Sequence, residues 1–583
     1  MPYSVVMPSR SGSIHVATTK RLYKGTVYRT HLLRRSYRVG SQVKHETLGN
    51  ISHLPEELIE LIRRFLAGER FVEARAAFQI ERSLPHGHVE AVLGMIRQLE
   101  LDTLIYSKRC RQRDLVLAMM VERLLHQGSK LAATRLWHET TLAEELGVSD
   151  ANEDDLYAAL DWLLDRQSSI EKKLAARHLS SGGRVLYDVS SSYYEGQSCR
   201  LALFGHDRDG QKGLPIIVYG VLTDAEGRPV AVEVYPGNTG DPTTLADQVD
   251  KLRQRFGLER VVLVGDRGLL TRTQLGTLKQ YPGLGWISAL RSAEVRCLVE
   301  SGCLQLSLFD QQNLAEIHSP DFPGERLVAC HNPLLGAERG RKRQALLAAT
   351  ETELSRITRQ VKRRTKTPLS AAEIGLKVGR VLNRYKMAKH FTVEVADGQL
   401  RWARNLETIQ REQQLDGLYV IRTSEPEPQL SAPNAVRHYK SLSQVEQAFR
   451  CLKGTDLRVR PIHHRTEDHV RAHIFLCLLA YYVEWHMRQA LAPLLFADED
   501  LKLNRASRDP VATAQPSAAV KAKKAVRLTP DGLPVHSFDS LLEALATRCR
   551  NTCRVTATPS KASFSQLTQP TPLQARTYQL LGL

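Results

Sequence analysis

The chain has 583 residues, a formal net charge of +18 and a hydrophobic content of 42%. At roughly 150 residues per domain the length suits about four units, and the apolar content is enough for buried cores. The cationic balance favours a polyanionic partner, nucleic acid first, although excess Lys and Arg also keep a large protein soluble.

The nine cysteines are scattered with no Cys-x-x-Cys pair, which argues against zinc ribbons and fingers and fits a reducing interior. The opening residues MPYSVVMPSRSG lack a charged region followed by an apolar run, so no signal peptide is expected. The longest apolar stretch, near Ile474 to Val483, is too short to span a bilayer and is bounded by His473 and Glu484. A cytoplasmic protein without a membrane partner is expected.

Residues 1–54 hold short β-type pieces, SVVM, IHVATT, VYRTHLL and SYRV, interleaved with Lys20, Arg21, Lys24, Arg34, Arg35, Arg38 and Lys44. They read as a small basic β unit, either a nucleic-acid surface or a solvated sheet face. Residues 55–180 carry apolar residues at three- and four-residue spacing, as in RDLVLAMMVERLLHQ and DLYAALDWLLDRQSSIEKKLAARHL. They predict a helical domain for DNA binding or dimerisation.

Gly182 and Gly183 break that pattern and open the segment 181–291. RVLYDVSSSYY, LPIIVYGVLTD and RPVAVEVYPG read as three strands, the last two joined by the hairpin turn Asp224 to Gly227. TTLADQVDKLRQRFG is an amphipathic helix, and RVVLVGD is a short apolar strand of the kind buried on both faces. A helix (TRTQLGTLKQY) and a strand (GWISALR) follow, so the order describes an α/β fold, a mixed sheet with helices packed on it. Residues 292–434 mix strand-like pieces with the long charged helix RGRKRQALLAATETELSRITRQVKRR and read as an inserted α+β unit. A helical block spans 435–494, and 495–583 forms a tail whose RASRDPVATAQPSAAVKAKKAVRLTPDG predicts partial disorder.

Asp188 lies inside the first strand of this segment, between Leu186 and Val189, where a carboxylate is awkward for a core and Asp is a poor strand former. Asp266 ends the apolar strand and precedes Arg267 and Gly268. Acids at strand ends of an open sheet meet in a crevice where ligands bind. Taken singly, either is more often a turn, cap or salt-bridge residue. Two carboxylates forced together need a cation, and oxygen-only ligands favour Mg²⁺ or Mn²⁺ over zinc.

A third acid lies on a helix. In SLSQVEQAFRCLKG, Val445, Ala448, Phe449 and Leu452 form a buried stripe. Glu446, Arg450 and Lys453 share another face. Taken alone, that face is better explained by an ordinary Glu446 to Arg450 salt bridge. Arg458, and Arg460 at the start of the RPIHHR loop, suit phosphate contacts.

GDRG after an apolar strand, YDVSSSYYEG before the hairpin, and VEVYPGNTGDPTTL between them resemble the DDE transposases of bacterial insertion sequences. The resemblance covers about 180–490. In the branch called the IS-four group, a C-terminal signature runs Tyr-(2)-Arg-(3)-Glu-(6)-Lys. Tyr439, Glu446 and Lys453 fall at that spacing, with Leu442 in place of the Arg.

The resemblance implies a ribonuclease H-like catalytic core carrying the insertion. It also implies phosphoryl transfer with two Mg²⁺ or Mn²⁺ ions. Asp188 would bridge both, and Asp266 and Glu446 would each hold one. Tyr439 and Lys453 would contact transposon-end DNA, with Arg267, Arg450, Arg458 and Arg460 as further DNA-binding residues. The implied partners are double-stranded DNA, as terminal inverted repeats and target, and a second copy of the chain in a homodimer on DNA. The implied location is the cytoplasm at the nucleoid. The alternative is a catalytically inactive or domesticated DNA-binding protein of the same fold.

Overall fold

Turn glycines and apolar runs account for most of the chain's strands. The computed structural model describes residues 12–69, 71, 77–556 and 562–583, so the SVVM piece lies outside the described residues. The chain divides into two compact units, Met1–Ser83 with Arg550–Leu567, and Leu84–Cys549 with Thr568–Leu583.

In the first unit, β1 (Ser13–Tyr23), β2 (Thr26–Val39) and β3 (Gln42–Asn50) form an antiparallel meander. Gly25 and Gly40 turn its two corners with φ of 79° and 63°, a conformation glycine adopts without a Cβ penalty. The helix Glu56–Leu66 buries Ile59, and its Arg63 reaches Thr18 Oγ1 on β1. β4 (Phe78–Pro85) follows, in a stretch without marked strand periodicity.

The second unit is built on an eight-stranded mixed sheet. β5 (Arg184–Tyr193), β6 (Ile216–Asp224) and β7 (Pro229–Pro236) are antiparallel neighbours. β8 (Val261–Val264) and β9 (Leu284–Ala289) run parallel to β5 on its other side. The sheet and its helices fit a ribonuclease H-like core. Beyond β9 the sheet continues antiparallel through β10 (Leu314–Ile317), β11 (Arg326–His331) and, after the insert's helices, β14 (Leu418–Thr423), in the order β10-β11-β14-β9.

Part of the expected inserted unit therefore extends the main sheet. β11 and β14 (Leu418–Thr423) are buried along nearly their whole length, so each needs a neighbour on both edges, and β9 supplies one. The rest of 292–434 has its own small core. There β12 (Phe391–Ala396) and β13 (Gln399–Arg404) form a hairpin, and Leu347, Leu354, Ile374, Phe391 and Leu400 pack between it and the helices Pro333–Arg363 and Ala371–Tyr385.

The helix Glu467–Ala490 is apolar on nearly all sides, which makes it a central rather than a surface helix. β7 and the helices Arg111–Leu125 and Glu153–Leu164 cover it, so the helical region after β4 shares one continuous core with the sheet. Among the described residues, no helix is long and apolar enough to cross a membrane.

The segment 495–583, expected as a partly disordered tail, holds four helices and two strands among the described residues. β15 (Cys549–Val555) and β16 (Ser563–Leu567) join β4 in a three-stranded sheet. The basic helix Ala518–Val526 is held by Lys523, whose ammonium meets Glu499 and the carbonyls of Ala492, Leu495 and Ala497. Those partners are remote in sequence, so local composition carried no sign of them.

Glu171 is fully buried and takes bonds from Gln167, the Val232 amide, Lys251 and Arg255. It ties a helix to β7 and to the π-turn Lys251–Arg255. Glu171→Ala leaves the Lys251 ammonium buried with Glu233 and the Val232 carbonyl as partners. It is expected to cost about 3 kcal/mol in a urea titration, with Lys251→Met in the same chain recovering part of the loss. A cost under 1 kcal/mol would show that the network contributes little.

Candidate active site

The parallel ladder pairs Arg184 with Val262, Val185 with Leu263 and Leu186 with Val264. Two residues further along each chain stand Asp188 and Asp266, at one level of the sheet and on one face. Beyond β8 the backbone stays in the sheet for one more bond, from the Gly265 amide to the Ile287 carbonyl at 3.1 Å.

Each Asp is fixed by its own backbone. Asp188 Oδ1 accepts from the Val189 amide at 2.8 Å. Asp266 Oδ1 accepts from the amides of Gly268 and Leu269 at 2.8 and 2.7 Å, while its other oxygen has no bond among the described residues. A Cβ at Gly268 would stand 3.3 Å from that Oδ1, so the glycine gives the carboxylate room.

The helix Leu442–Lys453 lies across β5 and buries Val445, Ala448, Phe449 and Leu452 against the sheet, with Phe449 and Tyr219 rings 5.8 Å apart. Gly227, in the β6–β7 turn, permits this approach: a Cβ there would meet Gln444 Cβ at 2.8 Å. Glu446 is consequently on the exposed side. It forms no ion pair among the described residues, and the Glu446 to Arg450 bridge is absent.

The electrostatics link the three acids. Burial pushes Asp188 up to about 7, with the charges of Asp266 and Glu446 adding to the rise and Arg208 opposing it. Burial likewise raises the Tyr439 phenol to about 12, with contributions from Asp266, Glu446 and Asp188. The three carboxylates are near enough to repel one another, yet they are not drawn to a common point. Among the described residues the group of three with all ligand atoms within 4.8 Å is Cys451, Asp456 and Glu484. That group already holds a cation, because Arg488 pairs with both Asp456 and Glu484.

The remaining expected residues are not alike. Tyr439 ends the helix Ala432–Lys440, and a break at Ser441 separates it from Glu446. Lys453 is mostly buried and pairs with Asp209 at 3.0 Å. Arg460 pairs with the same carboxylate. Arg267, Arg450 and Arg458 are exposed and form no ion pair among the described residues.

Two residues escape a reading of the sequence. Asp209, on the segment between β5 and β6, is 1% exposed and also accepts from the Tyr193 amide at the end of β5. It thus fastens β5, the Glu446 helix and the RPIHHR loop together. Arg208 beside it pairs with Asp241. The run HDRDG reads locally as a surface turn, and only the distant partners reveal its role.

Residues 205–483 match the family model described as Transposase DDE domain. The chain carries a DDE transposase domain. Asp266 and Glu446 fall inside the matched span of that transposase domain, and Asp188 lies ahead of it. Residues 16–77 match the IS1634 family transposase, N-terminal domain, which supports an insertion-sequence transposase. No curated protein matches the chain. A cryo-EM structure of a piggyBac transposase synaptic complex with hairpin DNA is 9% identical. It covers 69% of this chain and 72% of that one at a TM-score of 0.33, a likeness from which nothing is argued.

The Asp209 knot of the transposase domain yields a prediction. Asp209→Asn keeps the shape but leaves Lys453 and Arg460 without their counter-charge. Stability is expected to fall by roughly 3 kcal/mol in a urea titration, and Lys453→Met in the same chain should restore part of it. An unchanged unfolding midpoint would mean the two cations are held by other groups.

Proposed function

We propose that this chain cuts transposon ends and joins the freed 3′-hydroxyl to target DNA, with Asp188, Asp266 and Glu446 holding two divalent ions. The observation that carries this reading is the position of Asp188 and Asp266, each two residues past the last pair of the β5–β8 ladder, with the unpaired Glu446 carboxylate within the field of Asp188. The match to a transposase DDE domain supports it. The alternative, a catalytically silent DNA-binding protein, is not favoured.

The donor set fits Mg²⁺ or Mn²⁺. It offers carboxylate oxygens only, no protein cation pairs with any of the three among the described residues, and their mutual repulsion is the kind a bound cation relieves. When bound, such ions supply the charge that activates water or a 3′-hydroxyl and stabilises the leaving oxygen of an in-line displacement. The chain's own residues set the geometry. The β5–β8 ladder levels the two Asp residues, and the buried stripe of the Glu446 helix turns the third acid outward. Arg267, Arg450 and Arg458 are left free to meet phosphates, and Tyr439 and Lys453 belong to the same C-terminal signature. Lys453 would reach DNA by exchanging its Asp209 partner for a phosphate.

This reading places the chain in the IS-four group by that signature, and makes the active species a homodimer on terminal repeats. The helical region 55–180 would serve DNA binding or dimerisation.

The test is incubation of the purified chain with the DNA flanking its own gene and Mg²⁺, followed by mapping of the cut ends. Specific cuts that require metal are expected, and no cleavage with either Mg²⁺ or Mn²⁺ would overturn the reading. Asp188→Asn, almost isosteric and free of the cost of a buried charge, is expected to abolish cleavage while melting no lower than the parent. Near-normal cleavage by this variant would remove Asp188 from the site. Affinity for DNA should fall by about 0.9 log units per tenfold rise in salt for each phosphate neutralised. A flat response would leave the basic clusters as solvated faces.

A further inference from the structure

Beside the acid cluster lies a cleft of about 390 Å³, between the core and the inserted helices. Arg267, the residue after Asp266, lines one end, and Arg296, Arg339 and Lys342 line the rest. All four are exposed and form no ion pair among the described residues. The two acids of the cleft are already committed: Asp416 to Arg343 in a two-bond fork, and Glu412 to Lys389 and His390. Six cations against two acids leave the lining at a formal net +4.

Such an arrangement is costly without a counter-ion. Like charges converging on one concavity repel unless an anion neutralises them, and these four have no ion-pair partner among the described residues. Their origin is also informative. Arg267 and Arg296 come from the core on either side of β9, whereas Arg339 and Lys342 come from the long helix Pro333–Arg363 about one turn apart. Residues contributed by two separate layers therefore face one another across a single cleft. A solvated charge run on one helix would not need that convergence. Leu346, Leu415 and Leu418 are among the apolar residues that line the same cleft.

We infer that this cleft is a phosphodiester-binding groove that takes the backbone of a DNA strand running past Asp266. The inference rests on the transposase reading above. Arg presents a planar fork to phosphate oxygens and Lys a point charge, and a track of four cations leading away from a carboxylate cluster would hold the strand on either side of the reacting phosphate.

The test compares the full-length parent with a cleft triple variant, Arg296→Ala/Arg339→Ala/Lys342→Ala. A control removes the same charge elsewhere on the insert, as Arg356→Ala/Arg380→Ala/Arg384→Ala. Binding is measured over a salt series with a terminal-repeat duplex and with an unrelated duplex. The cleft triple is expected to flatten the slope of log affinity against log salt by about 2 to 3, at roughly 0.9 for each phosphate no longer neutralised. The control triple should leave it near the parent value. A charge-keeping triple, Arg296→Lys/Arg339→Lys/Lys342→Arg, should return most of the slope.

Flattening on the terminal-repeat duplex alone assigns the groove to transposon DNA, and flattening on both duplexes assigns it to DNA in general. Equal slopes for cleft and control triples overturn the inference. Metal-dependent cleavage by the parent is scored separately. Failure there sinks the transposase reading, whereas cleavage with equal slopes sinks only the groove.

Discussion

Everything at the candidate site depends on one backbone arrangement, the parallel pairing of β5 with β8. Parallel pairing fixes which residues of two strands stand level, and a slip of one residue would turn every side chain to the opposite face. Here it sets Asp188 against Asp266. The antiparallel pairing of β5 with β6 on its other edge pins β5 along its whole length, from Val185 to Tyr193. An Asp in mid-strand is tolerated because its oxygen turns back to its own neighbour's amide. The energetic penalty of a buried carboxylate is left standing, which is the usual mark of a position kept for chemistry rather than for packing.

The second constraint is the Asp209 carboxylate. A buried acid shared by Lys453, Arg460 and the Tyr193 amide joins three stretches of chain, which also meet through bonds from the Ile462 amide to the Tyr193 carbonyl and from the Arg460 guanidinium to the Lys453 carbonyl. Ion pairs of this kind contribute direction more than net stability. The hydrophobic stripe of the Glu446 helix allows it to slide on the sheet. A charge-assisted bond at its C-terminal end does not.

Much of this was legible in the sequence because its causes are local. Strands β5 to β9 carry their own β-branched runs, turn residues and lengths, and the buried stripe of SLSQVEQAFRCLKG gave the outward face of Glu446 directly. What was hidden depended on distant partners. Asp209 and Lys453 are 244 residues apart. β4 offers only a short alternation, Phe78 to Glu81, and pairs with β15, more than 460 residues on. The basic stretch around Lys523 resembles a linker until Glu499 and three carbonyls are seen around its ammonium. The insert looked like a single unit because its strands and helices alternate, whereas β11 and β14 are claimed by the open edge of β9.

The route by which the insert leaves at β9 and returns at β14 also orders events in time. Asp266 and Glu446 are 180 residues apart. At about 5–20 residues per second of synthesis, the third acid emerges from the ribosome roughly 10–40 seconds after the second. In chain order it follows β14, the strand that pairs with β9. Under the three-acid reading, a nascent or prematurely released chain holds two carboxylates and a nearly complete sheet, yet has no means of cutting the DNA beside which it is made. Competence arrives late, with the helix Leu442–Lys453.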